Sequence, residues 1–221
     1  MKKVSVNFSL KHRGVVSAKE QVAERLRQAI YTGELKAGEE LIQEELATQL
    51  GVSRIPVREA FQILDNAGMI EIQKNKRAIV KAITKESISE QLEIRTILEC
   101  LSAEKACDRA EDFSILEEIN NQIKNLETTP NYEMFRELNT SFHYELWHLA
   151  ESPRLEKMLH QLWFSIPSVY PADILENIQR NILEHDKIID SLKKHDKIAL
   201  QEAMIKHINT SKDKIYRQLF S

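Results

Sequence analysis

The chain is poor in several things that would point elsewhere. It has two cysteines, Cys100 and Cys107, seven apart in one helical pattern. No CxxC or Cys/His finger spacing exists, so neither a disulfide scaffold nor a zinc finger is expected, and both thiols read as small core or boundary residues. Five glycines and five prolines in 221 residues leave little material for long loops. No run of about 18 apolar residues occurs, so no membrane-spanning helix is expected. The opening MKKVSVNFSL is basic but has no apolar stretch behind it, which reads against a secretory signal. A cytoplasmic, mostly helical protein is the expectation.

Strong net charge is also missing, since the formal value is only −3. The distribution says more. Residues 1–83 hold 14 Lys and Arg against 10 Asp and Glu, whereas residues 84–221 hold 17 against 24. A basic first part and an acidic remainder fit a nucleic-acid module joined to something that avoids phosphates.

The most informative stretch that is present is GVSRIPVREAF, Gly51 to Phe61. It reads as a turn, then a short helix with Ser53 as its cap and Pro56 in the first turn, where a missing N–H costs nothing. Val57, Ala60, Phe61 and Leu64 form one face; Arg54 and Arg58, at i and i+4, share the open face. Two helices precede it. Ser17 with Glu20 makes a capping box for the first, which runs to Gly33. The second covers 42–50. Two short extended runs follow, at 69–73 and 78–83, separated by Lys74, Asn75, Lys76 and Arg77. Three helices and a basic hairpin predict a winged helix-turn-helix over residues 16–83, behind a flexible arm at 1–15. In such a domain the third helix enters the major groove and the wing touches backbone or minor groove. An arginine fork fits either a guanine edge or a phosphate.

From Thr84 onward the periodicity is helical. Six helices are predicted, at 85–108, 112–127, 131–150, 153–166, 173–192 and 196–219, and they imply an all-helical bundle over 84–221. Local signals set the boundaries. Thr129-Pro130 opens the third, Ser152-Pro153 the fourth, and Pro167 and Pro171 break the chain before Asp173 caps the fifth. Asn139 and His143 are i and i+4 on one helix. His185 and His207 lie on the last two helices, within roughly one turn of the same height at ~1.5 Å per residue. Three imidazoles and one oxygen donor suit a divalent transition metal, although a helical histidine is more often an ordinary surface or hydrogen-bonded group. His148, His160 and His195 have no such spacing and are left without a functional role.

The first eighty residues resemble a known family. Gly33-Glu34-Leu35, Gly38, Leu46-Ala47, GVSRIPVREAF, Leu64 and Gly68 together are similar to the N-terminal domain of the GntR superfamily of bacterial repressors. The resemblance implies DNA contacts from Arg54 and Arg58 of the recognition helix; Ser53 and Pro56 beside them, and Lys76 and Arg77 in the basic wing, are further candidate DNA contacts. Three positions depart from the family pattern. Ala37-Gly38 replaces a common Pro-Gly, Arg77 stands where the wing has a glycine, and Glu44 stands where some members carry an arginine.

The later segment, with Asn139–His143, Leu146, Glu184-His185 and His207, resembles the FCD ligand-binding domain of the FadR subfamily. Six helices match its VanR-like branch. That resemblance implies a divalent transition metal (zinc, nickel or manganese) held by Asn139, His143, His185 and His207, with Asn139 in place of the family's Asp. It also implies a small carboxylate effector, for which Arg95 in EIRTILE is the candidate; a salt bridge to Glu99 at i+4 is the other use of that arginine.

The expected function is a homodimeric transcription regulator, a repressor, whose grip on a double-stranded operator follows an organic acid bound near a metal. The alternatives are a regulator for which the ion itself is the signal, and a helical metallohydrolase with Glu184 or Glu145 as base.

Overall fold

The computed structural model describes residues 17–74, 77–163 and 173–220. The expected arm at 1–15, Lys76 in the wing, and the break at Pro167 and Pro171 lie outside them. The chain divides into two compact units, Met1–Thr84 and Lys85–Ser221.

The first unit contains helix α1 (Ala18–Tyr31), strand β1 (Glu40–Ile42), helices α2 (Gln43–Leu50) and α3 (Arg54–Asn66), then strands β2 (Ile70–Ile72) and β3 (Arg77–Val80). Glu20 begins α1 as expected: its Oε2 accepts from the Ser17 N–H at 3.0 Å and from the Ser17 hydroxyl at 2.7 Å. Gly51 closes α2 with φ 65°, a left-handed conformation that a side chain would strain, and so delivers the tight turn into α3. Ser53 occupies the N-cap position with extended backbone, but its side chain makes no capping hydrogen bond, which corrects the expectation for its hydroxyl. Val57, Ala60, Phe61 and Leu64 are fully buried, against Val22, Leu26, Leu46 and Ile70.

The hairpin is part of a larger sheet than the sequence suggested. The antiparallel order is β1-β3-β2, with Leu41 opposite Ala78 and Ile72 opposite Ala78 on the other side. β1 escaped notice because three residues are too short to show a period. It matters because it roots the wing in the body of the domain.

The second unit contains α4 (Lys85–Arg109), α5 (Ser114–Asn125), α6 (Tyr132–Leu149), α7 (Pro153–Trp163), α8 (Ile174–Lys193) and α9 (Lys197–Phe220). Among the described residues no strand interrupts them. The long α4 packs on α6, α7, α8 and α9, which makes it the axis of the bundle. Asp173 caps α8 by accepting from the Glu176 N–H at 2.9 Å. The cap of α6 is Asn131, whose side chain accepts from the Met134 N–H at 3.0 Å, rather than the Thr129-Pro130 step. His195 makes the α8–α9 turn with φ 51°, and its Nδ1 lies 2.7 Å from the Cys107 carbonyl oxygen on α4. Its role is to tie that turn to the axis. No helix among the described residues is long and apolar enough to cross a membrane.

Candidate functional sites: a DNA-reading face and a histidine centre

The first unit presents α3 as a two-sided element. Its buried side anchors it through Phe61 and Leu64, and its open side exposes Arg54 and Arg58 beside a half-buried Pro56 and an exposed Ser53. Two of the three arginines expected at DNA are engaged by carboxylates. Arg54 Nη2 donates to Glu44 Oε1 of α2 at 2.6 Å. Arg77 Nη1 donates to both oxygens of Glu40 on β1, at 3.0 and 2.9 Å. Among the described residues Arg58 has no ion-pair partner. Neither glutamate was foreseen as a partner, because each pair joins elements brought together only by the sheet and the helix turn.

The centre of the bundle is polar. His143 on α6, His185 on α8 and His207 on α9 are buried, and one nitrogen from each can be chosen so that all lie within 4.8 Å of one another. Two of the rings are aimed by carboxylates. His143 Nδ1 lies 2.7 Å from Glu99 Oε2, and His207 Nδ1 lies 2.8 Å from Glu184 Oε2. An ionised carboxylate only accepts, so each Nδ1 carries the hydrogen and each Nε2 keeps a lone pair. Those two Nε2 atoms face each other at 3.1 Å. His185 stacks on Phe142 with ring centroids 3.7 Å apart, and neither of its nitrogens has a hydrogen-bond partner. Asn139, one turn before His143, has a buried Oδ1 that is likewise unpartnered.

Buried polar atoms are nearly always satisfied, so these orphans point to a ligand. Three imidazole nitrogens with a neighbouring amide oxygen are a donor set that suits a divalent transition metal, and carboxylates behind Nδ1 are what metal-binding histidines commonly have. The residues present therefore fit such an ion.

The electrostatics agree with neutral rings at His143 and His185. Burial pushes His143 down to about 4, against an upward pull from Glu99. Burial, with His207 and His143 nearby, holds His185 well below the usual histidine range. For Glu99 burial works upward, but Arg95 and His143 outweigh it and hold the carboxyl well below the usual carboxylate range. Glu184 is lowered in the same way: burial opposes ionisation, and His207 and Thr210 overcome it, with Thr210 Oγ1 donating at 2.7 Å.

Arg95 is buried, and its Nε donates to Glu99 Oε1. Its guanidinium carbon lies 4.2 Å from the Trp163 ring centre. Trp163 is also 4.6 Å from the His143 ring, and Trp147 Nε1 points at Glu99 Oε2 from 3.4 Å. Both uses considered for Arg95 thus bear on this centre: the salt bridge to Glu99 is formed, and it backs His143. Glu184 is a buried histidine partner rather than a surface glutamate. Its neighbour His185 was a signal, since residues adjacent on a helix point about 100° apart and can address the axis and α9 respectively.

A winged DNA-binding head and a helical unit with a buried histidine centre define a DNA-binding transcription regulator. Residues 18–80 match the family described as bacterial regulatory proteins, gntR family, and residues 90–210 match the FCD domain. The chain belongs to the GntR family of regulators and carries an FCD domain. It is 28% identical over 199 residues to the uncharacterized HTH-type transcriptional regulator YdhC of Bacillus subtilis, covering 86% of this chain and 87% of that protein. It is 26% identical over 213 residues to the HTH-type transcriptional regulator McbR of Escherichia coli, covering 92% and 95%. The solved structure of E. coli McbR/YncC superposes with a TM-score of 0.72 at 25% identity, covering 92% of this chain and 99% of that one. The gluconate operon transcriptional repressor of B. subtilis is 23% identical over 207 residues, covering 88% and 84%. These are regulators rather than enzymes, and the hydrolase alternative is set aside.

Proposed function

We propose that the protein is a homodimeric, cytoplasmic repressor that binds a pseudo-palindromic operator through Arg54, Arg58 and the wing. Its affinity for the operator is governed by a divalent transition metal (zinc, nickel or manganese) and a small carboxylate in the helical unit. His143, His185, His207 and Asn139 hold the ion, which supplies a positive charge to which a carboxylate can bind. The observation that carries this reading is the pair of Nδ1 atoms backed by Glu99 and Glu184 beside the unpartnered His185 and Asn139. A repressor is supported by the gluconate operon relative, which is named as one. Dimerisation is supported by Ile94, Ile97 and Leu101, which at i, i+3 and i+7 leave an apolar stripe exposed on α4. One recognition helix reads only a few base pairs, and a two-fold dimer doubles that length.

One observation favours the simpler alternative, in which the ion is itself the signal. Arg95 is already held by Glu99 and stacked on Trp163, so an effector carboxylate has to share it. Chelated protein titrated with zinc, nickel and manganese, with and without small organic acids, separates the two by mobility shift on its own promoter region. Binding that moves with metal alone supports the ion-sensing alternative, and binding that moves only with acid present supports the effector. Failure of His207→Ala to abolish metal uptake would sink both.

A further inference from the structure

Glu44 stands out on the exposed face of the first unit. It sits in the first turn of α2 and holds Arg54 of α3 through one oxygen, Oε1, at 2.6 Å. Both side chains are about two-thirds exposed, at 65% and 67%. Among the described residues the other oxygen of Glu44 has no partner. An exposed ion pair of this kind contributes little to folding. On a surface that meets phosphates a carboxylate is unfavourable, because it repels the backbone and cancels a neighbouring cation. Arg58, one turn beyond Arg54, has no such restraint among the described residues. The same helix therefore carries one arginine free to take a phosphate and one held by an acid.

We infer that Glu44 is a specificity-determining residue, which keeps Arg54 off the phosphates and turns the pair into a reader of one C·G step. Glu44 takes one of the two Nη2 hydrogens of Arg54, so Nη2 can still form a fork with Nη1 that reaches guanine O6 and N7, while the free oxygen of Glu44 accepts from the cytosine N4 amine. This rests on α3 facing DNA, as proposed above. Glu40 and Arg77 repeat the arrangement at the wing, where the pair is bidentate and the arginine has less freedom to leave.

The test uses the full chain and a random-sequence duplex pool, with wild type, Glu44→Gln, Glu44→Ala and Arg58→Ala selected in parallel. Wild type enriches a motif with an invariant C·G pair. Glu44→Ala loses that preference, binds arbitrary duplex about 3- to 10-fold more tightly at low salt, and has a salt dependence steeper by about one unit of slope as Arg54 takes a phosphate. Its ratio of specific to non-specific affinity falls on the order of tenfold. Glu44→Gln, which lacks the charge and keeps an acceptor, falls between. An unchanged motif and unchanged ratio in Glu44→Ala overturn the role of Glu44 while leaving α3 as the DNA face. If Arg58→Ala binds as wild type and no motif is enriched by any form, α3 is not the DNA face, and the role of Glu44 falls with it.

Discussion

The two units bury different things. The first has an almost wholly apolar interior, in which Arg27 is the buried exception among the described residues, and it keeps its functional charges outside as exposed pairs. The second has Arg95, Glu99, His143, Glu184, His185 and His207 in its interior. Burying such groups is costly unless every partner is in place, and apolar residues of similar volume would often serve stability as well or better. A core that keeps them anyway has a polar interior that the stability of the bundle does not require. The head keeps its charged groups at its surface, and the bundle keeps several of them inside.

The largest expected effect comes from breaking the buried side of this contrast. Glu99→Gln removes the charge facing both Arg95 and His143 and leaves the guanidinium buried without its ion pair. The expected loss is ~3–5 kcal/mol of unfolding free energy, read by chemical denaturation; a loss under ~1 kcal/mol would show that the interior tolerates an unpaired charge.

Acid sharpens the same point. The folded form of His143 is depressed to about 4 by burial, and His185 is lowered also. The unfolded chain, with histidines near ~6.5, then takes up protons first. The stability that the neutral His143 ring contributes is fully present above about 6.5 and is lost as pH falls toward about 4, and His185 acts in the same direction. For His143 the slope approaches ~1.4 kcal/mol per pH unit in that window. Thermal melts of chelated protein between pH 7 and 5 should show the helical unit weakening; a pH-independent melt would contradict neutral buried rings.

The smallest effect belongs to the exterior. Glu40→Gln breaks the bidentate pair to Arg77, with both side chains nearly half exposed. The head should lose only ~0–1 kcal/mol, checked by urea titration, with larger changes confined to DNA binding. A loss like that of Glu99→Gln would erase the distinction between the units.

Much of this was legible in the sequence, and the misses share a cause. Helix spacing found α1 to α9, because apolar periodicity survives over eight or more residues. It also put His185 and His207 near one height, since heights along paired helices can be estimated, and the family resemblance added His143; the three rings do come together. It did not find β1, nor Glu99 and Glu184 behind the rings, nor Glu40 and Glu44 on the arginines. Each of these depends on which residues meet across elements, and glutamate is common enough on helices to carry no signal alone. The Ser53 hydroxyl and the α6 cap failed for a smaller reason: several polar residues near a helix start compete for the same N–H groups.

The chain has two tryptophans, and both lie at the histidine centre, Trp163 4.6 Å and Trp147 6.2 Å from the His143 ring centre. Tryptophan emission, excited selectively over the five tyrosines, therefore comes from this one neighbourhood. Quenching or a spectral shift on adding an ion, an acid or a proton reports directly on the centre, without a label and without interference from the DNA-binding head. The protein carries its own optical probe, positioned at its histidine centre.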